Sequence, residues 1–173
     1  MRTRKIVVIA CATATIVLTG AAWSGVRLNT TPSMPLGLWM VARKSTSRDA
    51  FVIACLSGPE ATEAEDRGYL GIGSCPDRVE PVVKPVAAVA GDVVTVTPSG
   101  IIVNGSALPR TTPLAKDSAG RLLQAFPAGT YHVAPGTVWL LSGHDPRSFD
   151  SRYFGPIPVA VIRSVVEPLV TFR

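Results

Sequence analysis

The chain has 173 residues, 47% of them hydrophobic and 17% charged, with 15 Gly and 15 Pro; this excludes a disordered tail or a helical coiled coil and favours short strands joined by many turns. The length suits one domain plus an appendage, and roughly 150 residues beyond the N-terminal segment are enough to bury a working core. The formal charge of +5 does not point to a nucleic-acid partner, because the basic residues are scattered and aromatic residues make up only 6%.

Part of the basic excess sits at Arg2, Arg4 and Lys5, directly before an apolar run. From Ile6 to Trp23 the chain reads IVVIACATATIVLTGAAW, about 18 residues without a charge, which as a helix nearly crosses the hydrocarbon core of a bilayer. The basic flank predicts that residues 1–5 stay in the cytoplasm, residues 6–23 form a transmembrane anchor, and residues 24–173 form one exported domain. A removable signal peptide shares the basic start and apolar centre, and TGAA supplies small residues near its end. The length of the run and the interfacial residue Trp23 favour a retained anchor.

Next comes NTTPSMPLGLW, from Asn29 to Trp39, in which Ser33 and Met34 stand between Pro32 and Pro35. A serine among prolines is ordinarily a turn residue. Proline also fixes φ, so the same segment would hold a nucleophile with little freedom to lose. GLWMVAR and, from Ala50, AFVIACL read as strands. The polar, Gly-rich stretch between Ser57 and Pro76 reads as a loop; its Gly68, Gly71 and Gly73 lack the Lys-Ser/Thr ending of a phosphate loop. Cys55 and Cys75 both lie in the exported part, where thiols are oxidised, so a disulfide is expected, with two separate buried thiols as the alternative. Two histidines and no CxxC pair give no reason to expect a metal.

PVVKPVAAVAGDVVTVT, from Pro81 to Thr97, is strand again, and PSG and NG bracket IIV in a hairpin pattern built from residues that tolerate positive φ. From Arg110 to Gly129 the pattern is irregular, with one helical turn suggested at RLLQAF. TVWLLSG from Thr137 returns to strand, and VAVIRSVVEPLV suggests a last strand pair. No internal repeat and no linker divides the exported part.

A serine hydroxyl needs a base to attack. His144 and Asp145 are pieces of a Ser-His-Asp arrangement, but no G-x-S-x-G elbow exists and a surface turn in SGHDPRS explains them better. The other candidate is Lys84, which on a strand shares a face with Val86 and Ala88. If that face is the core, the ammonium is desolvated, and its pKa of ~10.4 falls toward the ~7 to 8 a general base requires. A lysine snorkelling from a sheet edge is the plainer alternative.

Three boxes, taken together, resemble the type I signal peptidase (leader peptidase) family, membrane-anchored proteases with a Ser/Lys dyad. They are Ser33 in S-M-P-x-G, Lys84 in K-P-V-A-A-V-A-G-D, and S-F-D-S-R-Y-F-G-P-I-P from Ser148 to Pro158. The TTPSMPLGLW form of the first box, GYLGIGSCP and the short size look most like the conjugal-transfer branch, the TraF-type peptidases that mature pilin precursors.

The resemblance implies a mainly β, signal-peptidase/LexA-like catalytic domain on one N-terminal transmembrane helix, held at the bacterial inner membrane with the domain in the periplasm. It implies Ser33 as nucleophile, Lys84 as general base, and Thr31 beside the Ser33 N–H as oxyanion donors. Ser148 matches a hydroxyl that orients the lysine, and Asp150 and Arg152 match a structural ion pair. No cofactor is implied, and the partners are the membrane and an exported precursor with a leader peptide, such as a pilin. There are departures. Pro85 replaces a basic residue, cannot donate a backbone hydrogen bond, and suggests a sheet edge; His144 and Asp145 replace the usual GDN-type run. The large extra domain of enterobacterial leader peptidases has no room here. A housekeeping signal peptidase and a silent assembly scaffold are the other readings, intact Ser33 and Lys84 counting against the scaffold.

Overall fold

A computed structural model describes residues 25–172; the run expected to form the anchor lies outside the described residues. No helix among the described residues is long and apolar enough to cross a membrane.

The strands are β1 (Val26–Asn29), β2 (Leu36–Ala42), β3 (Phe51–Ala54), β4 (Val82–Ala88), β5 (Val93–Thr97), β6 (Gly100–Val103), β7 (Ser106–Ala107), β8 (Gly129–His132), β9 (Thr137–Leu140), β10 (Ile157–Pro158) and β11 (Ile162–Phe172). Seven pair in the order β1-β2-β11-β3-β4-β9-β10 and four in the order β7-β6-β5-β8. Two short helices, α1 (Pro59–Asp66) and α2 (Ser151–Phe154), complete the regular structure with a 3-10 turn at Val159–Val161.

Strand β4 sits at the junction of the core. Successive strand residues point to opposite faces, so Val82 and Val86 pack with Val52, Leu140 and α1's Ala61 and Ala64, while Val83 packs with Met34, Trp39, Ile53 and Val166 on the other side. Beyond a register shift between Val86 and Ala88, Ala87 and Ala88 join Trp139 and Leu141 against the second sheet's Val94, Val96, Ile101 and Val103. Lys84 therefore stands on a face whose neighbours along the strand, Val82 and Val86, are both core. Its ammonium has little water.

The tight hairpins follow their turn residues. Asn104 and Gly105 both have positive φ, 49° and 81°, as the two-residue turn between β6 and β7 requires. Two glycines of the boxes have steric reasons to be there. A Cβ on Gly37, at φ 134°, would lie 2.2 Å from Val170 O on β11, and one on Gly155, at φ 72°, would lie 2.2 Å from the Phe126 ring.

Three expectations need correction. The stretch after Ser57 holds helix α1, with Pro59 in its first turn; only Ala61 and Ala64 are buried, too faint an apolar stripe to show a helical period. RLLQAF forms no helical turn: Leu122 bridges Lys116, with Asp117 N–H bonded to Arg121 O and Leu123 N–H to Ala115 O. The expected last pair is one strand, β11, preceded by the 3-10 turn; a register shift between Pro168 and Val170 absorbs the proline. The edge expected at Pro85 is a local one: β4 lies between β3 and β9, but its residues before Val86 have no ladder partner on the β9 side. Val86 N–H and C=O both bond toward β3, so alternation turns Pro85's missing N–H away from β3. There Pro85 C=O accepts from Leu141 N–H, and ladder pairing with β9 begins only at Val86.

Cys55, just past β3, is joined to Cys75, 20 positions further along the chain, with Cα atoms 5.4 Å apart. Closing a loop of that length removes unfolded-chain entropy equivalent to about 3 kcal/mol. Replacing both cysteines by alanine is expected to lower stability by about that much in urea titration, with reductant lowering the parent chain alike. Both results should leave the sheet spectrum intact.

Candidate functional site

The segment from Thr31 to Pro35 leaves β1 and enters β2, and two of its five residues are prolines that cannot donate a backbone bond. Side chains hold it instead. Buried Asn29 at the end of β1 donates from Nδ2 to the carbonyls of Thr31, Met34 and Pro35 at 3.1, 3.2 and 3.0 Å, and its Oδ1 accepts from the Thr31 hydroxyl at 2.9 Å. Trp39 Nε1 adds a bond to Pro35 C=O at 3.2 Å, and Met34 is sunk into the core beside Trp39 and Val83. Ser33 is left half-buried at the crest, on the wall of a cavity of about 350 Å³.

Lys84 lines the same cavity and is only 3% exposed. Its Nζ donates to Ser148 Oγ at 2.6 Å. Burial among apolar side chains lowers its pKa from 10.5 to about 8; the Asp150 carboxylate works against that shift, Arg152 works with it, and Asp145 also opposes it. Thr31, Val82 and Ser148 line the cavity as well. Leu56, Leu70 and Leu123 make its apolar wall. That wall is fastened by Tyr69 Oη to Asp117 Oδ2 at 2.7 Å and by Leu114 N–H to Tyr153 Oη at 3.1 Å.

Asp150 and Arg152 lie behind the cavity with no exposure at all. Arg152 donates Nε to Asp150 Oδ1 at 2.8 Å and Nη2 to Oδ2 at 2.9 Å, a two-pronged pair. Its other three N–H groups go to the carbonyls of Arg110, Pro146 and Ser142 at 3.1, 3.0 and 2.6 Å. All five guanidinium donors are thus used. Asp150 also caps α2, accepting from Arg152 N–H at 3.1 Å.

His144 and Asp145 do not assemble a triad with Ser33. The His144 ring is exposed, and Asp145 Oδ1 accepts from Arg147 N–H at 2.8 Å in its own turn. Two residues that matter were not singled out from sequence: Asn29 and Ser142. An asparagine preceding a Pro-rich turn is a recognisable backbone-binding signal, whereas Ser142 is one hydroxyl in a polar turn and carries none. Among the described residues no group of His, Cys, Asp and Glu could hold a metal ion.

The family model described as signal peptidase, peptidase S26, matches residues 1–170. A plasmid transfer protein TraF of Escherichia coli is 36% identical over 169 residues, covering 96% of this chain and 94% of its own. A probable conjugal transfer protein TraF of Sinorhizobium fredii is 37% identical over 178 residues, covering 99% and 93%, and a conjugal transfer protein TraF of Agrobacterium fabrum is 38% identical over 164 residues, covering 91% of each. The likeness to a crystal structure of a signal peptidase I from Enterococcus faecalis is slight, with a TM-score of 0.40 and 20% identity over 72% of this chain and 98% of that one. With a family model spanning nearly the whole sequence and relatives matched end to end, this chain belongs to the signal peptidase family, peptidase S26.

Proposed function

We propose that this chain is a membrane-anchored serine endopeptidase that removes leader peptides from exported precursors through Ser33 and Lys84, and that it matures a pilin precursor for conjugal transfer. The observation that carries the chemistry is the buried Lys84, whose Nζ is held by Ser148 on a wall shared with Ser33. The matching relatives named for plasmid and conjugal transfer favour the conjugative substrate over a housekeeping one.

With a pKa of about 8, roughly one lysine in ten is neutral at pH 7, against one in several thousand for a free side chain. The neutral amine takes the Ser33 hydroxyl proton as Oγ bonds to the scissile carbonyl carbon. As the carbon–nitrogen bond breaks, the Lys84 ammonium returns that proton to the departing amine, leaving an acyl-Ser33. Water, deprotonated by the same amine, then releases the acyl group and regenerates the hydroxyl.

The Ser33 N–H and Thr31 are the proposed oxyanion donors, each such donor being worth ~3 to 4 kcal/mol in the transition state. The Thr31 proton rests on Asn29 in the free chain, so this role requires the hydroxyl to turn toward the substrate. Strand alternation leaves Val83 N–H and C=O facing away from β3, beside an unpaired stretch of β4. An extended substrate added there gains backbone bonds beside Lys84, with small pockets selecting small side chains one and three positions before the cut. Residues 6–23, as the anchor, would confine enzyme and precursor to one surface and raise their effective concentration.

The test is co-expression of the full chain with the candidate pilin precursor and the mass of the product. A shortened chain is expected, and a further loss of one water would mean that a peptide amine had replaced water and joined the chain ends. An unprocessed precursor removes the reading. With purified full chain, kcat/KM is expected to rise about tenfold from pH 7 and level off above the midpoint near 8, as the amine loses its proton. A flat or falling profile over that range speaks against Lys84 as the base.

A further inference from the structure

Ser142 connects the buried ion pair to the nucleophile. It follows β9, is fully buried, and every polar group it has is engaged. Its N–H donates to Asp150 Oδ2 at 3.0 Å and its C=O accepts from Arg152 Nη2 at 2.6 Å, so the ion pair grips its backbone from both ends. Its Oγ accepts from His144 N–H at 3.1 Å. That incoming bond leaves the hydroxyl proton for the Ser33 carbonyl, to which Oγ donates at 2.5 Å across 109 residues of sequence, with Met34 Sδ, a weaker acceptor, at 3.5 Å.

The carbonyls of Thr31, Met34 and Pro35 are held by Asn29, which leaves the Ser33 carbonyl to Ser142. The same turn that starts at Ser142 carries Ser148, which holds Lys84 Nζ. One polar turn, stiffened by Asp150 and Arg152, therefore grips both candidate catalytic residues, the serine through Ser142 and the lysine through Ser148.

Resting on the proposed Ser33 chemistry, we propose that Ser142 is a positioning residue for the nucleophile: its hydroxyl fixes the Ser33 carbonyl and with it the angle at which Oγ meets the substrate. The division of labour is specific. Ser142 governs the placement of Ser33 and not the proton affinity of Lys84, whereas Ser148 governs the lysine. Misplacing a reacting atom by about 1 Å costs on the order of 100-fold in rate, and removing one of several holds on the loop costs less, about 10-fold to 100-fold.

The experiment compares Ser142→Ala, Ser142→Thr and Ser148→Ala in the full chain in detergent, with a leader-bearing precursor carrying alanine one and three positions before the cut. Ser142→Ala is expected to lower kcat by about 10-fold to 100-fold with KM and the pH midpoint near 8 unchanged, and Ser142→Thr, which keeps the donor, to recover part of it. Ser148→Ala is expected to move the pH midpoint. Amide exchange in the peptide covering residues 30–39 should rise in Ser142→Ala while the β5–β6 hairpin keeps its protection, a readout that needs no cleavage. If the parent chain cleaves nothing, the peptidase reading fails and the exchange result still decides the clamp. Unchanged kcat and unchanged exchange in Ser142→Ala overturn the proposal, as does a pH midpoint that shifts as in Ser148→Ala.

Discussion

Lys84→Met is expected to abolish precursor cleavage, by about 10⁴-fold or more, and at the same time to make the domain more stable at pH 7. The two effects have one origin. The shift from 10.5 to about 8 means that the folded state carries a buried ammonium at a cost of about 3 kcal/mol whenever the lysine is protonated in both states. Methionine has nearly the same length, fills the same apolar slot between Val82 and Val86, and carries no charge to desolvate. It also abandons Ser148 Oγ, a buried acceptor, which returns about 1 kcal/mol of that gain. A net stabilisation of about 2 kcal/mol, or about 5 °C in melting temperature, is left.

The pH dependence gives that prediction its sign. The folded pKa lies below the unfolded one, so below pH 8 both states hold the proton and the full cost is present. Between about 8 and 10.5 the unfolded chain keeps a proton that the folded chain has lost, and stability of the parent rises with pH across that window. The advantage of Lys84→Met should therefore be largest at pH 6 to 7 and vanish toward pH 10. Lys84→Arg should be equally inactive but less stable at every pH, because a guanidinium keeps its proton. Melting curves of the three chains from pH 6 to 10 decide the matter; a Lys84→Met variant less stable than the parent at pH 7, or an offset independent of pH, would show that the lysine is not held at a cost.

That lysine was legible in the sequence because a single charge in an apolar strand is conspicuous, and strand periodicity already put it on the face of Val86. The strands with strong β-branched runs, β3 to β6 and β9, were equally visible. What stayed hidden depends on contacts between distant segments. Helix α1 shows only two buried alanines, the short β1, β8 and β10 exist because longer partners template them, and β11 runs through Pro168 only because a register shift lets it. The candidate site divides in the same way. Ser33, Lys84, Ser148, Asp150 and Arg152 belong to recognisable boxes, and Asn29 precedes a Pro-rich turn that hints at its role, whereas Ser142 matters through a hydrogen bond to a distant backbone carbonyl, which leaves no spacing to read.

Arg152→Met is expected to be the most destabilising single change in the domain, at about 3 to 5 kcal/mol, a third or more of the stability a domain of this size commonly has. A fully buried ion pair is weak evidence of net stabilisation, because both charges lost their water to reach it. Removing one partner is another matter. Asp150 would be left fully buried with no cation beside it, and the carbonyls of Arg110, Pro146 and Ser142 would each lose a donor. Two separate stretches of chain, the loop at Arg110 and the turn from Ser142 to Pro146, meet at that guanidinium, so the damage spreads to the turn that grips Ser33 and Lys84. Asp150→Asn should cost less, since an amide still accepts from Ser142 N–H or Arg152 and strands no carboxylate, though it leaves the guanidinium short of charge. The double variant Asp150→Asn with Arg152→Met should be less destabilised than the sum of the singles, the difference measuring their coupling in urea titration. If Arg152→Met unfolds within about 1 kcal/mol of the parent, the five-donor cluster is not what holds the turn, and the route from the ion pair through Ser142 to Ser33 loses its anchor.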